Sequence, residues 1–371
     1  MKNLKSIFAI ALCVVIIASL FAMAACGVSQ EEVDKLNQQI EDLNTKLAAA
    51  EKEAKDNKAL LDKANADKAA AEKMIEQYKD KPVAGTDNVD YELSDDGTYY
   101  IATGLKEGSD GAVVVLAREI NGLPVKEIAE NAFLGQNEEK VKTDEAISVI
   151  KAVYIPDNVT ILGTKAFAEC TQLSVAVMEG PFDVDASGVE TFILCGISYF
   201  KVPEGQKALP AGFLRANHSL KTIDFGKTLE EIGVNCFFDC PNMADIIFPD
   251  SLKRIQFAAF WACFNITNAN TPKNLEYLGA EAFFYCTKIS GDWVMGENFK
   301  FLGKNALYLC TSINSLTFKV TEGWYSCTDE AATEGEAVTI EGNMISLFIK
   351  QSSEQKEDEP TRRGELFYKH N

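Results

Sequence analysis

Cysteine and histidine are the residue types in this 371-residue sequence best suited to covalent, acid–base or metal chemistry, with ten of the first and two of the second. A nucleophilic triad needs an imidazole held between a nucleophile and a carboxylate. His370 stands one residue from the end, so such a set would have to be built on His218. Cys236 and Cys240 are spaced C-x-x-x-C with no histidine near, which does not make a zinc site. No glycine-rich phosphate loop occurs, and no Asp/Asn ladder has the spacing of an EF-hand or a calcium-binding nonapeptide. The chemistry-bearing residues therefore predict no enzyme, no metal and no cofactor.

What the cysteines do show is a period. Cys170, Cys195, Cys240, Cys263, Cys286 and Cys310 each stand three residues after an anchor: Phe167, Phe192, Phe237, Phe260, Phe283 and Leu307. Phe133 and Phe213 extend the anchor series, and the steps along it are 34, 25, 21, 24, 23, 23 and 24 residues. Five residues before the anchor sits Ile128, Leu162, Ile232, Ile255, Leu278 or Leu302, often followed by glycine. Such a period marks a solenoid, in which each unit buries its apolar face only against its neighbours. Cysteines in one repeat column read as small buried hydrophobes with a weak S–H donor. Each unit predicts a strand at its apolar-x-apolar segment, a turn at Pro or Gly, a second short strand at Ile-Gly, and a helical turn at Ala-Phe-x-x-Cys. The units 174–195 and 197–217 are degenerate, with Ser187 in place of isoleucine and Ala216 or Asn217 in place of cysteine.

The unit is clearest in VIKAVYIPDNVTILGTKAFAEC, 149–170, and it resembles the repeat of the bacterial BspA-like leucine-rich-repeat proteins. The resemblance covers roughly Tyr91 to the C-terminus. It gives a β-rich α/β solenoid of about eight ~23-residue units over 112–320, preceded by a coiled-coil helix. Segment 82–111 holds a hinge and a hairpin cap, whose strands flank the turn Asp95-Asp96-Gly97. A β cap over 321–371 closes the other end, with strand-like segments at Val338–Ile340, Ile345–Lys350 and Glu365–Lys369. The charged excursion Gln136 to Glu145 lengthens the first step.

Two N-terminal segments are of different material. Residues 1–25 read as an export leader: Lys2 and Lys5, an apolar run from Ile7 to Ala22, then Met23-Ala24-Ala25-Cys26. Cysteine after small residues resembles a lipobox, which implies acylation of Cys26 and lipid anchoring at a bacterial surface; a plain secretory signal is the alternative. Residues 26–81 are the lipidated N-terminus and stalk, with one seam at Val33, Ile40, Leu47, Ala54, Leu61, Lys68 and Ile75. The other seam holds Leu36, Leu43, Ala50, Asn57, Ala64, Ala71 and Tyr78. This is a coiled-coil pattern open to self-association as a dimer or trimer, against a lone helix or a linker.

A formal net charge of −19 argues against nucleic acid as a partner. Function is left to the repeat surface. Aligned units place Tyr154, Lys201, Asp224, Ile247, Asn270 and Trp293 in one outward column of the first strand, and Tyr199 in a second column two residues earlier. Aromatic anchors among polar side chains suit a protein or glycan ligand. A second candidate is Phe238, Trp261, Phe284 and Tyr308, one residue after each anchor, which reads more readily as a structural ladder. Resemblance to the BspA-like proteins implies a surface adhesin for host matrix protein or another bacterial surface. A structural envelope spacer without a dedicated ligand is the competing reading.

Overall fold

Apolar residues that recur every turn of a solenoid can be buried only by stacking, and the chain does so throughout its repeats. In the computed structural model the described residues are 30–79, 84–109, 111–135, 149–327, 330–331, 333–344 and 367–370. The leader, Cys26, the excursion 136–145 and the strand expected at 345–350 lie outside them.

Successive units stack through parallel ladders. One sheet joins Val113–Val115, Ala152–Ile155, Val175–Met178, Tyr199–Lys201 and Thr222–Asp224 in spatial sequence. A second ladder of two-residue strands runs through Ala208–Leu209, Glu231–Ile232, Arg254–Ile255, Tyr277–Leu278 and Phe301–Leu302. The first strand expected in each unit forms in most of them but is reduced to isolated bridges at Ile246, Asn268 and Ala269, and the second is present except in the unit of Ser187. In the degenerate unit the Ser187 hydroxyl accepts a hydrogen bond from the Leu162 amide at 3.0 Å, standing in for the missing isoleucine strand.

The expected helical turn at Ala-Phe-x-x-Cys is not helical. Lys165 and Glu169, Asn235 and Asp239, and Glu281 and Tyr285 all have positive φ, two in each unit. Alternate amides there donate to the next unit, as Lys165 to Val189 O at 2.9 Å and Phe167 to Thr191 O at 2.9 Å. The amides between them close i to i−3 turns, as Ala168 to Lys165 O at 3.0 Å. A helix would turn every amide onto its own unit; this backbone shares them between units, which is how stacking is held on this side. Gly163 belongs to the same economy of space: a Cβ there would lie 2.4 Å from the carbonyl carbon of Ala129 in the preceding unit.

Inside, the anchor rings form a column. Phe133 stacks on Phe167 with centroids 4.8 Å apart, Phe237 on Phe260 at 5.1 Å, and Phe260 on Phe283 at 4.9 Å. The cysteine column is buried and free of disulfides among the described residues. Each thiol donates to a carbonyl of the unit before it: Cys170 to Phe133 O at 3.0 Å, Cys263 to Phe237 O at 3.2 Å, Cys286 to Phe260 O at 3.0 Å. Asn217 does this work in its degenerate unit, its amide donating to Phe192 O at 2.7 Å and Leu214 O at 3.0 Å.

The ends are covered by β structure. Val89–Leu93 and Tyr100–Leu105 form the expected antiparallel hairpin, and the second strand continues into parallel pairing with Leu123–Ile128. The Asp96 carboxylate organises the turn, accepting from the Ser94 hydroxyl at 2.8 Å and the Thr98 amide at 3.0 Å. At the other end Phe367–His370 pairs antiparallel with Phe301–Leu302 and with Trp324–Cys327. The strand expected at 338–340 is instead the two residues Glu336–Ala337, paired with Tyr325 and Ser326.

Before the repeats a single helix spans Gln30–Tyr78. The chain divides into two units at Ala59/Leu60, with Leu60–Tyr78 in the same unit as the repeats.

Candidate binding face

Strand alternation builds the face. Along Ala152–Ile155, Val153 and Ile155 enter the core of Phe167 and Leu162, and Ala152 and Tyr154 turn to the opposite side. Register then carries the columns across the sheet: Tyr154 opposite Val177, Val175 opposite Tyr199, Lys201 opposite Asp224.

Much of this outward face is not open. The last part of the helix lies on it, with Ala71, Met74, Ile75 and Tyr78 packed against Val115, Tyr154, Val175, Val177 and Tyr199. Alanine at 64 and 71, both buried, lets the helix backbone approach the sheet closely. Polar contacts fix the register: Lys63 Nζ donates to Gly196 O at 3.2 Å, the Ser198 hydroxyl donates to Asp67, and Lys68 Nζ stands 5.7 Å from the Tyr199 ring centre. Tyr154 and Tyr199 point outward as read from the sequence, but they are 0% and 5% exposed, so neither stands on the free surface.

Trp293 is corrected outright. Regular alternation along Gly291–Met295 buries Trp293 and Met295, and the indole lies edge-on to Phe283 at 5.3 Å and 1% exposed. A one-residue slip exchanges the two faces of a strand. Asp292 and Val294 take the outward places instead. The extra residue in that unit was the only signal in the sequence.

Lys201, Asp224, Ile247 and Asn270 remain exposed. Ile247 is the most open large apolar side chain on this face, at 80%. Asn270 is partly committed to structure: its Oδ1 accepts from the Phe248 amide at 2.7 Å and its Nδ2 donates to Phe248 O at 3.1 Å. The sheet is thin here, reduced to the bridges Ile246↔Ala269 and Asn268↔Ser290. Tyr199, Lys201 and Asp224 come together with Lys68, Glu72 and Lys79 around a cavity of about 190 Å³ beside the helix. Burial, then the charges of Asp224 and Glu72, push the Tyr199 phenol up to about 12, so it meets this cavity as a neutral donor.

The second candidate column is a ladder. Phe238, Trp261, Phe284 and Tyr308 stack at 4.6, 5.7 and 4.8 Å, and the Arg215 guanidinium covers the Phe238 ring at 5.1 Å. Ring faces engaged by one another are closed to a sugar or peptide, leaving edges for contact.

His218 offers its Nε2 to Asp239 at 3.1 Å on the exposed surface. Cys195 lines the same groove, yet burial holds its thiol well above the ordinary range, the opposite of what a nucleophile requires. No group of three or more metal-ligating side chains occurs among the described residues. None of the described helices is long and apolar enough to cross a membrane.

A profile of the BspA type leucine rich repeat region matches the chain in six copies, over 121–213, 144–263 and 211–323. Together these span 121–323, more than half of the 371 residues. Several solved structures are similar. A leucine-rich repeat protein of T. pallidum is 24% identical, with 61% of this chain and 88% of that one covered at a TM-score of 0.41. A Bacteroides ovatus leucine-rich repeat protein is 22% identical over 64% of this chain and 65% of its own, TM-score 0.45. A leucine rich cell surface protein of Faecalibacterium prausnitzii is 15% identical over 66% and 96%, TM-score 0.30. No curated protein matches the chain.

Proposed function

The chain belongs to the BspA-type leucine-rich-repeat family, and from that premise we propose that it is a surface lipoprotein whose repeats bind a macromolecular partner through the open part of the strand face. The observation that carries this reading is Ile247, 80% exposed between the polar side chains of Asp224 and Asn270. An apolar centre with a polar surround is the ordinary anatomy of an interface. The anchor rests on sequence: basic Lys2 and Lys5, the apolar run, and Cys26 after Ala24-Ala25. Several acyl chains on one residue hold a protein at a membrane, where a single chain binds only marginally.

The test presents the full chain on cells to immobilised extracellular-matrix proteins and to envelope glycans. Ile247→Asp is expected to weaken retention on whichever of these binds by about tenfold or more, with melting unchanged. Equal retention by Ile247→Asp would move the site off this face. Separately, Cys26→Ala is expected to shift the protein out of the detergent phase.

The envelope-spacer reading draws support from the helix over Tyr154 and Tyr199, which removes the aromatic anchors from reach. Failure of the wild-type chain to bind any member of the panel would favour it.

A further inference from the structure

One heptad register runs the length of the Gln30–Tyr78 helix, but the two parts of it are equipped differently. In the part that packs on the strand sheet, Ala64 and Ala71 are buried, and the position between them is Lys68. Small and cationic residues at these places make a poor seam for a second helix and a good fit to a sheet. In the first part, Leu43 is 63% exposed and Leu47 51%, with Ile40 one heptad before Leu47 in its seam.

Flanking charges divide the same way. In a parallel pair, a g residue meets the e residue five places on in the partner helix. Lys46 would meet Glu51, an attractive pair; Asp67 would meet Glu72, a repulsive one. Asp67 is already engaged, accepting from the Ser198 hydroxyl and lying 3.6 Å from Lys63 Nζ.

We infer that the helix carries two interfaces in one register: Ile40, Leu43 and Leu47 form a parallel coiled coil with a second copy of this chain, and Leu60–Tyr78 stays on its own strand sheet. The occupant follows from the residues. Isoleucine at a with leucine at d favours two parallel strands, and the Lys46–Glu51 pair is satisfied only in parallel register. The coil therefore ends before Ala64, over about four heptads between Gln30 and Ala59. The strand face of the first units remains covered when the chain dimerises, because the residues that cover it have no part in the coil.

The experiment uses the full chain in detergent. Analytical ultracentrifugation is expected to give a dimer at micromolar concentration. Leu43→Asp with Leu47→Asp should give a monomer whose repeats melt as wild type. Leu43→Cys, mildly oxidised, should give a cross-linked dimer absent from the parent chain, whereas Ala71→Cys should give none. A wild-type monomer, a dimer that survives the double aspartate variant, or absence of the Leu43→Cys cross-link would overturn the parallel seam. Cross-linking of Ala71→Cys as strong as that of Leu43→Cys would overturn the division of the helix. Because Ala71→Cys could loosen the docked helix by itself, Glu72→Cys, exposed at the neighbouring e position, repeats that arm without touching the buried seam.

Discussion

The ring of Tyr78, the last residue of the helix, rests 5.1 Å from the ring of Tyr154 at an angle of 50°. Tyr154 in turn donates its hydroxyl to Glu179 at 2.7 Å, and Glu179 is bound by Arg118, which also holds Asp157. Helix end, outward strand column and unit edge are thereby tied into one network.

If that docking is as described, Ala71→Glu should release the helix, since a carboxylate forced between helix and sheet is more costly than lifting one short helical segment. Hydrogen exchange should rise at least about tenfold over 60–78 and at Val115 and Val177, with the melting of the later repeats little changed. Exchange equal to wild type would mean that the helix is not held there.

Trp293→Ala is expected to destabilise the repeats by about 3–5 kcal/mol, because the indole fills the core beside Phe283. Ile247→Ala, on the open face, should stay within about 0.5 kcal/mol of wild type. Chemical denaturation of the two variants side by side checks the inward place of Trp293: similar small effects would return it to the surface.

Phe260→Ala removes the ring held between Phe237 and Phe283 and should cost about 3–5 kcal/mol. Nearest-neighbour coupling should spread the damage to the adjoining units. Exchange protection lost around 237 and 283 but kept near 133 would be the signature.

The cysteine column should be silent to alkylation in the folded protein. Burial holds the thiols of Cys240, Cys263 and Cys286 well above the ordinary range, so little thiolate exists at pH 8 to react. Iodoacetamide labelling read by mass should mark these residues only after denaturation. Cys286→Ala, which removes the donor to Phe260 O, should cost about 1–2 kcal/mol.

Alkaline pH should unfold the protein earlier than its carboxylates would suggest. Burial pushes the phenols of Tyr91 and Tyr199 up to about 12. The fold favours the neutral phenol, while the unfolded chain ionises near pH 10. Their contribution to stability is therefore complete below about pH 10 and is lost as pH rises from there towards 12. Melting temperature against pH, with tyrosinate absorbance followed in parallel, tests this. A flat profile across that window would contradict it.

Periodicity in this sequence determined the solenoid, the two strands of most units and the inward column of anchors, because a slot filled by phenylalanine at every turn has one place to go. It determined the thiol column for the same reason, and the hairpin cap from Asp95-Asp96-Gly97. Three matters were decided only in three dimensions. The turn that shares its amides between units depends on neighbouring units lying in hydrogen-bonding reach, which no single unit's sequence states. The place of Trp293 depends on where its longer unit takes up the extra residue, and a period-two pattern cannot say on which side of that residue the register resumes. The third is the helix: an apolar seam at heptad spacing reports that one face will be buried, but not against what. Ala64, Ala71 and Tyr78 satisfy a second helix and a β-sheet by the same arithmetic, and only the packed structure shows that the sheet beside Val177 takes them.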